Sequence, residues 1–222
     1  MHACTHRPTI AWARRRQPLQ AGHGAGPGVG AGARRPLRQR LLAALRHHAA
    51  RLARVWGGGG SEPAPRLRPV DAQDLGAMGR YLMDLGTERR RLRFHGGVNP
   101  SERLLSQMTR VDGRSQLALV AVVPADEGEL IVGEACCQLD RSRRCAEFAI
   151  SVAQLWEGSG LARALLEALL RSAAASGMGR MACEVLADNA RMITLLARTG
   201  FEPEPVAEAG VQRWQISLAE PR

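Results

Sequence analysis

Lysine is absent from the 222 residues, and all 31 basic residues are arginine. That excludes a Walker-type phosphate loop with its lysine, and any Schiff-base lysine. It also leaves the protein no lysine side chain of its own to acylate. Tyrosine occurs once, at Tyr81. Cysteine is scarce and odd in number, at Cys4, Cys136, Cys137, Cys145 and Cys183, with no Cys-x-x-Cys pair. Neither a disulfide framework nor a zinc site is indicated, and no metal is expected. Cys136, Cys145 and Cys183 fall in apolar runs, which predicts buried thiols in a reducing, cytoplasmic setting. No apolar run reaches the ~18 residues of a membrane span, and no signal-peptide core is visible.

Acidic residues are missing from one region only. Residues 1–61 carry eleven arginines and no Asp or Glu, whereas residues 62–222 carry twenty arginines against twenty-one acids. The formal charge of +10 therefore belongs to the N-terminal segment. Residues 1–34, with glycine at alternate positions from Gly22 to Gly32, lack the apolar surface to offset their ordering entropy. At 35–56, Leu37, Leu41, Leu45, Leu52 and Trp56 share one helical arc and arginines the other, which predicts a basic amphipathic helix. Such a helix suits an anionic surface, and a solvated extension or a start codon assigned too far upstream fits it equally. A transit peptide fits the arginines but not the absence of serine from residues 1–60. Gly57–Gly60 reads as a linker, which sets the expected domains at 1–60 and 61–222.

The second part is organised around Ala146–Gly177. Ala146, Phe148, Ile150 and Val152 alternate with Glu147, Ala149 and Ser151 at strand spacing. Gly158-Ser159-Gly160 follows, then Leu161, Ala164, Leu165, Ala168 and Leu169 at helical spacing. Glycines let a ligand approach the backbone, and the first N–H groups of a helix have no internal partner. The segment Gly158, Ser159, Gly160, Leu161, Ala162 is thus a candidate anion cradle. An ordinary strand-to-helix connection has the same local pattern. Around this unit, strands are expected at 66–70, 116–123, 130–139, 180–186, 201–205 and 211–218. Helices are expected near 71–85, 101–110 and 190–199. The second to fourth strands would form an antiparallel meander. One strand–helix–strand crossover then makes a mixed, mostly antiparallel α+β sheet with helices on both faces.

Glu157-Gly158-Ser159-Gly160-Leu161-Ala162 resembles the acyl-CoA binding motif of the GNAT superfamily of N-acetyltransferases. Asp188-Asn189-Ala190-Arg191-Met192 and Thr199-Gly200-Phe201 resemble the helix that follows in that family, and the likeness spans about 66–217. Leu85–Phe94 looks like a segment of bacterial protein-lysine acetyltransferases of the GNAT type. The resemblance implies the acyl-CoA N-acyltransferase fold, and direct transfer of an acetyl group from acetyl-CoA, as cosubstrate, to an amine. It implies that the pantetheine arm pairs with backbone near Val152, that the diphosphate meets the glycine turn, and that Asn189 contacts the arm. The acceptor could be a protein lysine, a protein N-terminus or a small amine; the Arg-rich 89–93 segment tilts the choice towards protein. Glu147, on the polar face of the central strand, is the candidate general base; a surface pair with Arg143 or Arg144 is the alternative. Leu196 stands where the family often has a tyrosine acid, and Glu157 where it has Gln or Arg. Both departures also suit a catalytically weak acyl-CoA sensor. His95, the one histidine outside the tail, lacks the partners of a metal site or triad.

Overall fold

The computed structural model describes residues 64–126, 128–205 and 210–218. The basic segment, the helix expected at 35–56 and the Gly57–Gly60 linker lie outside these residues. Among the described residues seven strands form one sheet: β1 Arg66–Pro69, β2 Gln116–Ala125, β3 Gly128–Asp140, β4 Cys145–Val152, β5 Arg180–Leu186, β6 Glu202–Pro203 and β7 Val211–Ser217. Their order is β1-β2-β3-β4-β5-β7-β6. Every pairing is antiparallel except β4 with β5. The α-helices are α1 Leu75–Asp84, α2 Gly86–Phe94, α3 Glu102–Thr109, α4 Leu161–Ala175 and α5 Ala190–Arg198.

Burial on both faces explains the continuous apolar run of β2. Leu117, Leu119 and Ala121 join the cluster that packs Leu161, Leu165 and Leu169 of α4 and Leu196 of α5. Val120 and Val122 join the opposite cluster, with Tyr81 and Leu82 of α1, Phe94 of α2 and Leu105 of α3. Within the described residues the expected strands and helices are present, the strand expected at 201–205 is reduced to Glu202–Pro203, α2 comes in addition, and β2 and β3 run further into their hairpin than the apolar pattern indicates. Within that hairpin the register shifts between Ala121 and Val122, leaving Val132 as the extra residue of a bulge. Gly133 beside it meets Val152 of β4. A Cβ there would lie 3.0 Å from Leu165 and 3.2 Å from Val152, so only glycine lets α4 sit this close.

Asp71 starts the helical layer with a reciprocal cap: its side chain accepts from Gln73 N–H, and Asp74 accepts from Asp71 N–H. Asn189 caps α5 by accepting from Met192 N–H. α4 begins at Gly160, which is left-handed at φ 87° and brings no capping side chain of its own.

Candidate active site

Only Cys145, Ala146 and Glu147 of β4 pair with β5, opposite Arg180, Met181 and Ala182. Beyond them the two strands part, while β4 stays paired to β3 as far as Val152. The parting opens a cavity of about 1030 Å³ between β4, β5, the N-terminal ends of α4 and α5, and α2. One side of β4 is thus a free backbone edge inside a cleft, able to accept an extended ligand as a further strand.

The glycine turn forms the mouth of this cleft. Gly158 and Gly160 have φ of 77° and 87°, and a Cβ on either would meet nothing within 4 Å. Space and backbone freedom for a phosphate are therefore both present. Val152, Gly158, Gly160, Ala162 and Asn189 line the cavity. Ser159 and Leu161 do not. The Ser159 hydroxyl donates to the Trp156 carbonyl and accepts from Leu161 N–H, and the Leu161 side chain is fully buried in the core. Neither side chain faces the cleft, and the N–H groups at these two positions are held within the turn, that of Ser159 by the Trp156 carbonyl at 3.4 Å and that of Leu161 by the Ser159 hydroxyl at 3.3 Å.

Glu147 lies one residue before Phe148, where the cavity wall begins, and is itself outside the wall. Its side chain is 39 % exposed and pairs at 2.9 Å with Arg213 of β7, not with Arg143 or Arg144. Arg213 also meets Glu204 at 2.9 Å and Glu184 at 3.5 Å. Three carboxylates therefore share one guanidinium at the foot of the cleft. Glu184 lines the cavity and is 13 % exposed at its side chain. Sequence reasoning missed it. The signal was an acid on the polar side of a strand whose other face, Met181, Cys183 and Val185, is apolar.

An acid such as Glu157 beside a phosphate site is unfavourable unless its charge is met. Glu157 lines the cavity, and its charge is taken up by Arg89 of α2, at 2.8 Å, and by Arg191 of α5. Burial pushes the Glu157 carboxyl up, and the two arginines outweigh it and hold the group below the usual range. Arg91 ties α2 to the same region through Asp188 at 2.7 Å. Arg90 donates to the Leu82 and Met83 carbonyls. Arg89, Arg90 and Arg91 thus have partners within the domain.

Arg93 is inserted beneath α2 and pairs with Glu134 of β3 at 2.6 Å, both fully enclosed. The Ser151 hydroxyl of β4 donates to Glu134 at 2.7 Å. Having given its one proton there, it accepts from the Tyr81 hydroxyl at 2.9 Å. The chain's one tyrosine is thereby committed to the sheet, and burial pushes its ionisation far up. At Leu196, where the family's acid was expected, the side chain is fully buried.

The comparisons with known proteins fall on this architecture. The acetyltransferase (GNAT) family matches residues 92–201. An acetyltransferase of Pseudomonas aeruginosa is 31 % identical over 141 residues, covering 61 % of this chain and 73 % of the relative. The chain belongs to the GNAT acetyltransferase family. The GNAT domain of S. lividans PAT is 25 % identical, with TM-score 0.64 over 70 % of this chain and 92 % of that one. A spermidine N-acetyltransferase of Vibrio cholerae, solved with CoA and spermine, shares the fold at TM-score 0.57 and 20 % identity. It covers 69 % of this chain and 95 % of its own. Among the described residues no helix is long and apolar enough to cross a membrane, and no group of His, Cys, Asp or Glu is placed to hold a metal ion.

Proposed function

We propose that this GNAT protein transfers an acetyl group from acetyl-CoA directly to an amine. The observation that carries the proposal is the parted β4–β5 edge with a glycine-opened helix at its mouth. Backbone at Val152 would take the pantetheine arm. The amides of Gly158–Ala162 would take the diphosphate, and Asn189 would face the arm from α5. Acetyl-CoA supplies an activated thioester; the chain's task is to hold it, exclude water and move protons. Glu147 is proposed as the base that strips the acceptor ammonium, directly or through water. Its partner Arg213 keeps it at the foot of the cleft, beside Glu184.

The acceptor favoured here is a protein lysine, on the likeness of 85–94 to lysine acetyltransferases of this family. A small cationic amine is the second reading, favoured by Glu184 in the cavity wall. We place the catalytic domain at 61–222, with the basic extension outside it, and the buried cysteines Cys136, Cys137, Cys145 and Cys183, which form no disulfide, suit a cytoplasmic location. The test is thiol release from acetyl-CoA with lysine peptides and small amines. Glu147→Gln should lower kcat by about a hundredfold or more while the protein stays folded. Unchanged turnover would move the base elsewhere.

A further inference from the structure

We infer that His95 is the proton carrier of the transfer step, relaying a proton from the newly bonded nitrogen to the departing thiolate. The inference rests on the acetyl-transfer reading above.

His95 ends α2 in the left-handed region at φ 54°, although Gly96 and Gly97 follow it directly. Such backbone positions persist where the surroundings over-determine them, and they gather at functional sites. The imidazole is half-buried and lines the cavity. It donates to the backbone carbonyl of Glu184, two residues past the last β4–β5 pair. It therefore stands where the two strands part. A neutral imidazole has one N–H; with that spent on Glu184, the second nitrogen carries a free lone pair.

Its surroundings keep it neutral at pH 7. Burial, then the charge of Arg93 and of Arg91, pull its pKa below the usual 6.5, against the opposing bond to Glu184. The charged groups around it are Arg91 and Arg93 of its own helix, Glu184 of β5, and Asp188 beyond that strand, which pairs with Arg91. Other proton donors at the site are spent. Tyr81 and Ser151 serve Glu134, and burial pushes the Cys183 thiol far up. Of the side chain types in the wall, imidazole alone ordinarily changes charge between pH 5 and 8.

The step balances. The acceptor, already stripped of one proton through Glu147, attacks the thioester carbonyl; a C–N bond forms and the C–S bond breaks. The surplus proton on nitrogen passes to the free imidazole nitrogen, and the imidazolium gives it to the coenzyme sulfur. The products are the amide and free CoA thiol, and His95 returns to its neutral form. An imidazolium with a lowered pKa is the better acid for that last transfer.

His95→Asn and His95→Gly both tolerate the left-handed backbone, so each is expected to fold. Steady-state kinetics should show kcat lower by about a hundredfold, with KM for acetyl-CoA within about threefold of wild type. The fall of wild-type kcat/KM on the acid side of neutrality should flatten in both variants. Added imidazole should accelerate His95→Gly and leave wild type unaffected. In proton NMR of the free protein, the imidazole signal missing from His95→Asn should titrate below 6.5 and shift on adding CoA. Wild-type kcat with an unaltered pH profile in His95→Asn, or a slow His95→Gly that imidazole does not rescue, overturns the inference. A wild type that releases no thiol with any amine removes the acetyl-transfer reading, and the inference with it.

Discussion

Glu157 shows why a single side chain is hard to judge from its neighbours in sequence. Beside a glycine turn it looks like an obstacle to phosphate. In the fold it holds Arg89 and Arg191, which come from helices about seventy residues before and thirty after it. Replacing it with glutamine removes one negative charge and releases two positive ones beside the cradle. Glu157→Gln should tighten acetyl-CoA binding roughly fivefold, about 1 kcal/mol, in calorimetry at low salt, and less at high salt. Unchanged affinity would mean that the arginines do not reach the phosphates. Glu134 is the opposite case, an enclosed acid that supports structure. Glu134→Ala leaves the Arg93 charge enclosed without its carboxylate and should cost about 3–5 kcal/mol in denaturant unfolding. A loss under 1 kcal/mol would show that Arg93 reaches solvent or another anion.

At the scale of elements, the strand, turn and long helix of 146–177 were legible because each has its own periodicity. Gly177, left-handed at φ 84°, follows that helix as its closing glycine. The end of the β4–β5 pairing after Glu147 was not legible, because pairing is set between strands and leaves no trace in either one. Hence Glu147 could be placed on a strand but not beside Arg213, sixty-six residues later. Glu184 was overlooked for the same reason. The β3 bulge at Val132 and the close seat of Gly133 under α4 likewise depend on partners far along the chain. The turn itself yields a prediction. Gly160→Ala introduces no clash, so its cost is conformational, about 1–2 kcal/mol for an L-residue in the left-handed region. It should also weaken CoA binding roughly tenfold by changing the approach of the backbone to phosphate. Equal affinity would place the diphosphate elsewhere.

For the whole molecule, stability should depend on pH in two stages. Asp112 is held down to about 2: burial opposes, but the Ser115 hydroxyl and the N–H groups of Arg114, Ser115 and Gln116 outweigh it. Glu157, Asp74, Glu129 and Asp140 are also held below their ordinary values. Groups lowered on folding add stability that is complete above their unfolded values and lost as pH falls through the folded ones. The melting temperature should therefore drop steeply between about pH 5 and 2. His95 is a lowered base, so the unfolded chain takes its proton first. A shallower decline should begin just below about pH 6.5 and be absent from His95→Asn. Scanning calorimetry across pH 2–8 checks both stages, and a flat profile down to pH 4 would contradict them.

The central claim is that the gap between β4 and β5, opened by glycine at its mouth, is an acyl-CoA site. Calorimetric titration of the full chain with acetyl-CoA, butyryl-CoA and CoA tests it most directly. The account predicts saturable heat with one site per chain, and at a hundred times Kd a stabilisation of about 2.7 kcal/mol, seen as a raised melting temperature. No heat and no shift in melting with all three ligands would contradict it.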